Sequence, residues 1–322
     1  MTSASTRPAA WKFLLAFGII YFVWGSTYLA IRVGVREIPP FLMAGLRFTV
    51  AGLAMWAWIR ATGTPSPSLR EWRDATILGT LMFLIDYACL FWAEQRVPSG
   101  IAAVILAMIP VCITLLEITF LRTQRLTLRL AIGLAIGIAG VIVLSNPWAS
   151  LGEMSLDRRG LVALLVSCCG WSVGTIVTGK LTLPASKPMS AAAQMLSGGV
   201  QLLVLAAVAG EFTKFRAQDI SSAAWLSLIY LIIAGSIIGY TAYVWLLHYE
   251  SPTRVGTYAY VNPVVAVILG AVLGGEAMGR RTILGTALIL ISVAAITTIK
   301  RKQSIAKTSE SREAGLKVAA DD

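Results

Sequence analysis

Two charged residues stand deep inside otherwise apolar stretches of this sequence. Arg47 follows Pro40 by about two helical turns, and Asp86 precedes Ala93 by the same interval. At a helical rise both would sit about 10 Å below one face of an apolar slab. A bare charge at that depth is expensive, so such residues are paired or functional. The expected arrangement is an ion pair between the second and third helices that staples the bundle, with a proton or substrate role as the alternative.

Aromatic residues form a second set. Trp24 and Tyr28 share a helix face with Tyr21, and Trp171, Tyr240, Tyr243 and Tyr260 lie within later apolar blocks. Such rings suit a cavity for a neutral or aromatic side chain, although many membrane aromatics are interfacial anchors. Met108, Gln194 and Asn262 complete the expected cavity lining, with tyrosine hydroxyls and the Asn262 amide able to meet an amine or a carboxylate. Two prolines, Pro110 and Pro263, fall in the middle of apolar blocks, where each leaves a carbonyl without its helical partner. They are the expected hinges. Cys89, Cys112, Cys168 and Cys169 all fall in apolar blocks, and the single histidine is His248. That inventory argues against a metal site, a cofactor or acid–base catalysis, so no enzyme is expected.

The elements that must position these residues follow from composition. The chain has 322 residues, of which 57% are hydrophobic and 13% charged, and its mean hydropathy is +0.76. A soluble domain carries nearer a quarter charged residues. The apolar residues come in long blocks, which predicts an all-α integral membrane protein. Ten blocks are predicted as spanning helices: Phe13–Ile31, Pro40–Ile59, Ala75–Ala93, Gly100–Leu121, Leu128–Leu144, Gly160–Thr178, Met189–Ala209, Ala223–Leu247, Thr253–Gly275 and Ile283–Ile299. Gly133, Gly137 and Gly140 mark the fifth as a close-packing surface. Lysine and arginine favour the segments on the amino-terminal side, clearly for the first five helices and less so later, where Arg280 and Arg281 fall opposite. Both termini are therefore expected in the cytoplasm. The net charge of +11 belongs to this bias and to the tail, and is not read as nucleic-acid binding.

The sequence also repeats at close to half its length. Trp24 corresponds to Trp171, Arg47 to Gln194, Trp92 to Trp245, Pro110 to Pro263, Gln124 to Glu276 and Gly133 to Gly285. Five helices per unit is an odd number, so the second unit enters from the opposite side. The expected organisation is residues 1–150 and 151–300 as two inverted five-helix repeats, with 301–322 as a charged cytoplasmic tail.

Trp24-Gly25-Ser26-Thr27, Arg47-Phe48 and, most strongly, Asn262-Pro263-Val264 followed by Gly275-Glu276 and Gly285 resemble the drug/metabolite transporter superfamily. Over about residues 12–300 the chain is similar to its ten-helix amino-acid and metabolite exporter branch (EamA-type), and within it to the bacterial aromatic amino-acid exporters of the YddG type. Gln124 departs from the glutamate the family often has there. The resemblance implies a multi-pass protein of the bacterial inner membrane that exports small metabolites, most of all amino acids, by alternating access. Its partners would be the small-molecule substrate and the lipid bilayer, with no obligate protein partner. A sugar-phosphate, nucleotide-sugar or drug exporter of the same fold is the rival, and a membrane scaffold a remote one. Glu276 is expected to cap a helix or pair with Arg280.

Overall fold

The computed structural model describes residues 8–122, 125–145, 157–250, 255, 257–296 and 298, and these form helices with no strand among them. Among the described residues seven helices are long and apolar enough to cross a membrane: α1 (Ala10–Gly34), α2 (Pro40–Ala61), α3 (Leu69–Glu94), α4 (Ser99–Thr119), α6 (Arg158–Thr178), α7 (Lys187–Val208) and α8 (Ser222–Leu246). Two apolar helices are shorter, α5 (Leu128–Leu144) and α9 (Tyr258–Val272). A further helix, α10, covers 280–296. Gln124 and the tail 301–322 lie outside the described residues, so the expectations attached to them have no structural counterpart.

Large apolar side chains remain exposed on the outer surface, among them Leu14, Phe22, Val204 and Val272. A soluble protein buries such residues. A protein in lipid has no reason to, because hydrocarbon is as apolar as the side chains themselves. The interior is instead held by close backbone approach. α2 and α7 cross where a β-carbon at Gly45 would lie 2.7 Å from Leu203 and one at Gly52 2.6 Å from the Leu196 nitrogen. Rising numbers on α2 meet falling numbers on α7, so the two run antiparallel. α5 meets α10 in the same manner through Gly137 against Ser292 and Gly140 against Ile289, and Ser292 donates to the Gly133 carbonyl at 2.6 Å. The glycine face expected on α5 is therefore a packing surface.

Three long helices contain a π-helical segment: Ile19–Val23 in α1, Gly79–Ile85 in α3 and Leu231–Ile238 in α8. The wider turn displaces carbonyls from the regular ladder, and such turns concentrate at functional sites. The segments in α3 and α8 fall at corresponding places of the two halves. α4 is not one bent rod. It is interrupted at Ala107–Met108, and a new helical segment, Ile109–Thr119, carries Pro110 in its first turn. Pro110 thus occupies a favourable position, since its missing N–H would have no partner there anyway. Pro263 lies inside a continuous α9. The two prolines are equivalent in sequence but unlike in local structure.

Candidate functional site

Arg47 is buried, 3% exposed, on α2. Its Nε donates to Ser236 Oγ at 3.1 Å, in the π segment of α8. Its guanidinium carbon lies 4.7 Å from the Phe48 ring centre and 5.4 Å from that of Tyr87. Nη1 has no hydrogen-bond partner. Gly235 backs the group, and a β-carbon there would come within 2.9 Å of Thr27 and 3.2 Å of Arg47 Nη2. Thus a glycine in α8 makes the room that the guanidinium fills.

The expected ion pair with Asp86 does not form. Asp86 is equally buried, but its carboxylate accepts a hydrogen bond from Ser167 on α6. Equal depth on two helices does not fix direction. Asp86 follows the π segment of α3 and turns toward α6, whereas its neighbour Tyr87 turns toward Arg47.

Two aromatic groups lie in the interior, and the first faces the guanidinium through Phe48 and Tyr87. In this first group Phe48, Phe83, Tyr87 and Trp171 join α2, α3 and α6. Ring centres are 4.4 Å apart for Phe48–Tyr87, 4.9 Å for Phe48–Phe83 and 6.5 Å for Tyr87–Trp171. In the second Trp24, Tyr240, Tyr243 and Tyr258 join α1, α8 and α9, with Trp24 5.3 Å from Tyr243 and 5.0 Å from Tyr258. Apart from the tilted Trp24–Tyr243 pair these meet edge to face, an arrangement that contributes about 0.5–1.5 kcal/mol per pair beyond burial. The Trp24 indole donates to the Gly235 carbonyl at 3.0 Å, so the residue that backs Arg47 also anchors this second group.

Asn262 is surrounded by acceptors. The carbonyls of Ile20, Tyr21 and Tyr258 lie at 3.1, 3.1 and 3.2 Å, so its amide nitrogen faces them. Two of those carbonyls belong to the π segment of α1. Ser26 donates to a third, that of Val23, at 2.8 Å, and is also 2.6 Å from the Tyr230 hydroxyl. The break in α4 is answered in the same way from α6, where Cys168 Sγ donates to the Ile105 carbonyl and Ser172 Oγ to that of Ile109, each at 3.3 Å. Polar side chains in the interior therefore serve displaced carbonyls, as an apolar surround requires.

One end of the bundle is stitched by carboxylates from connecting segments to the starts of other helices. Glu276 accepts from Ser99 N and Oγ, each at 2.7 Å, and from Gly100 N at 3.1 Å, and so caps α4. It is a cap, as expected, but of a helix remote in sequence. Glu211 accepts from Leu42 N at 2.7 Å at the start of α2, and its burial raises its carboxyl above the usual range. Glu37 accepts from Ser221 N at 2.6 Å and Ser221 Oγ at 2.8 Å before α8, and these bonds hold its carboxyl below the usual range. Helix starts carry unpaired N–H groups and partial positive charge, which suits all three acids. At the same end Glu94 is fully buried and neither carboxylate oxygen has a partner, while Arg32 bonds to the Glu94 carbonyl.

The expected cavity residues separate accordingly. Trp24, Tyr240 and Tyr243 come together, and Trp171 joins the opposite ring group through Tyr87. Tyr28 is half-buried, with Tyr87, Asp86 and Glu94 as electrostatic neighbours. Tyr260 is half-buried on α9. Gln194 bonds to Ser190 on its own helix at 3.0 Å. Met108 is 5% exposed and packs toward Gly137 on α5, so it is a core residue and not cavity lining. Phe48, Phe83, Tyr87 and Glu94 were not among the expected site residues. Tyr87 adjoins Asp86, a signal that could have drawn notice, whereas Glu94 falls one residue beyond the apolar block that ends at Ala93.

The sequence profile of the EamA-like transporter family matches residues 7–146 and again 158–298. The uncharacterized inner membrane transporter YedA of Escherichia coli (strain K12) is 38% identical over 280 residues, covering 86% of this chain and 88% of its own. A probable amino-acid metabolite efflux pump of Salmonella typhimurium is 27% identical, covering 84% of this chain and 90% of its own. Protein PecM of Dickeya dadantii is 26% identical, covering 90% and 94%. A solved crystal structure aligns with a TM-score of 0.59 over 92% of this chain and 99% of its own, at 21% identity, a likeness of fold alone. With both halves matched by one profile and a relative above a third identical along most of its length, the chain belongs to the EamA-like transporter family.

Proposed function

We propose that this transporter exports small metabolites, foremost amino acids including aromatic and other neutral ones, across the bacterial inner membrane by alternating access. The observation that carries the reading is the buried cation Arg47, faced by Phe48 and Tyr87 and backed by Gly235, to which the second interior aromatic group is tied through Trp24. Rings accept apolar and aromatic side chains, and one cation answers one anionic group. The printed name of the Salmonella relative, an amino-acid metabolite efflux pump, points the same way. A single buried guanidinium is a poor match for phosphate-bearing substrates, which ranks a sugar-phosphate or nucleotide-sugar carrier lower.

The architecture that goes with this reading is ten spanning helices in two inverted five-helix units, residues 1–150 and 151–300, with both termini in the cytoplasm. Support comes from the doubled family match, from the π segments at corresponding places of α3 and α8, and from the antiparallel packing of α2 on α7 and α5 on α10. Corresponding helices meeting antiparallel is what a two-fold axis in the membrane plane requires. In this arrangement the carboxylate-stitched end faces outward. Pro110 and Pro263 act as the bending points of α4 and α9.

The test is efflux. Cells overproducing the protein and preloaded with labelled phenylalanine should lose it faster than cells carrying an empty vector. Equal loss for phenylalanine, methionine and threonine alike would contradict amino-acid export.

A further inference from the structure

The buried guanidinium of Arg47 is more than a tie between helices. One tie is made, through Nε to Ser236, and Nη1 is left without a partner. A charged N–H in a dry interior is costly unless something answers it. The acids of neighbouring elements do not answer it. Asp86 is held by Ser167, and among the described residues no carboxylate forms an ion pair with Arg47. Glu94 is within electrostatic range, but its carboxyl oxygens make no hydrogen bond. The other neighbours include the faces of Phe48 and Tyr87, the phenols of Tyr28 and Tyr230 at electrostatic range, and Gly235, whose missing side chain leaves the guanidinium its place. Rings over a guanidinium leave its N–H edge free, and that edge is the part shaped for a carboxylate.

We propose that Arg47 is the substrate anchor, binding the carboxylate of an amino acid through its Nη edge while the ring groups of α1, α3, α6, α8 and α9 receive the side chain. This rests on the amino-acid reading and deepens it. The guanidinium is sealed in the present conformation, so the carboxylate enters when the π segment of α8 moves off α2. Ser236 keeps Nε and fixes the direction in which the free edge points. A monoanion matches one fixed cation.

The experiment compares phenylalanine with phenylalaninamide, which has the same ring and ammonium but no carboxylate. Each competes for labelled phenylalanine uptake into proteoliposomes made with wild-type, Arg47→Gln or Arg47→Lys protein. The wild type should prefer the acid about tenfold or more, the usual effect of a charge-assisted hydrogen bond. Arg47→Gln should bring the two ligands to near parity by weakening the acid and leaving the amide unchanged. Arg47→Lys, which keeps the charge and loses the fork, should give an intermediate ratio. A purely structural arginine would weaken both ligands together. An acid-to-amide ratio unchanged in either variant overturns the anchor, as does a wild type that takes the amide as well as the acid. Should Arg47→Gln fail to fold, the Arg47→Lys ratio decides. If wild-type vesicles take up no amino acid at all, the amino-acid reading fails and the anchor with it; if they take it up with unchanged ratios, only the anchor fails.

Discussion

Replacing Glu276 by alanine should loosen the end of the bundle where connecting segments cap distant helices. The side chain accepts three hydrogen bonds, two from Ser99 and one from Gly100, at 2.7, 2.7 and 3.1 Å. Ser99 is fully buried, so the orphaned N–H groups at the start of α4 find no water. Each unsatisfied buried donor costs about 1–3 kcal/mol, and the loss of charge at a helix start adds about 0.3–1 kcal/mol. Glu276 itself is only partly buried, and the three bonds share one acceptor, so the total is discounted to about 2–4 kcal/mol. Glutamine keeps one acceptor oxygen and should lose about half as much. The assay is thermal unfolding in detergent followed by intrinsic tryptophan fluorescence, for which the chain's 10 tryptophans give ample signal. The expected order of midpoints is wild type, Glu276→Gln, Glu276→Ala, spread over several degrees. An alanine variant that melts with the wild type would refute the claim that this carboxylate holds α4 in place.

A double-mutant cycle of Arg47→Gln and Asp86→Asn should give a coupling energy near zero in stability, because their hydrogen-bonding partners are on different helices; coupling above about 1 kcal/mol would restore the ion pair. Asn262→Leu should destabilise by about 1–3 kcal/mol in chemical denaturation by removing the side-chain donor that faces the carbonyls of Ile20, Tyr21 and Tyr258, whereas Asn262→Gln should lose less. Glu37 contributes through its depressed carboxyl, so its stabilisation is present above the ordinary glutamate value of 4.5 and is lost as pH falls through the lower folded value. Glu37→Gln should therefore flatten the acid limb of a stability–pH profile, and an unchanged limb would count against the Ser221 latch. Changing both Pro110 and Pro263 to alanine should slow amino-acid flux in proteoliposomes while leaving binding intact, and undiminished flux would remove the hinges.

The helical blocks were legible in the sequence because hydrocarbon demands uninterrupted apolar length, which composition reports directly. The close-packing face of α5 was equally legible, since Gly133, Gly137 and Gly140 fall on one side of any helix drawn through them. Direction across the interior was not. Arg47 and Asp86 share a depth, but the π segment before Asp86 shifts the face it presents, and no residue in Gly79–Ile85 announces a π turn. Pro110 was legible as a break but not as the first turn of a new segment, because the interruption lies at Ala107–Met108, where neither residue is a breaker. Met108 is expected in the cavity, and its packing toward Gly137 of α5 follows from that same interruption. Trp24 and Tyr240 stand out in the sequence because rings deep in an apolar block are conspicuous, and the structure joins both to Tyr243. Glu94 was missed because an acid at the end of a block reads as an interface residue, and only the packing of Arg32 and Glu276 around that end reveals its burial.

Competitive uptake measures the account most directly. Purified protein is reconstituted into liposomes preloaded with unlabelled phenylalanine, and labelled phenylalanine is supplied outside together with excess methionine, threonine or a sugar phosphate. The account predicts counterflow well above that of protein-free liposomes, inhibited by the amino acids and untouched by the sugar phosphate. Inhibition by the sugar phosphate alone, or counterflow no greater than in empty vesicles, would contradict it.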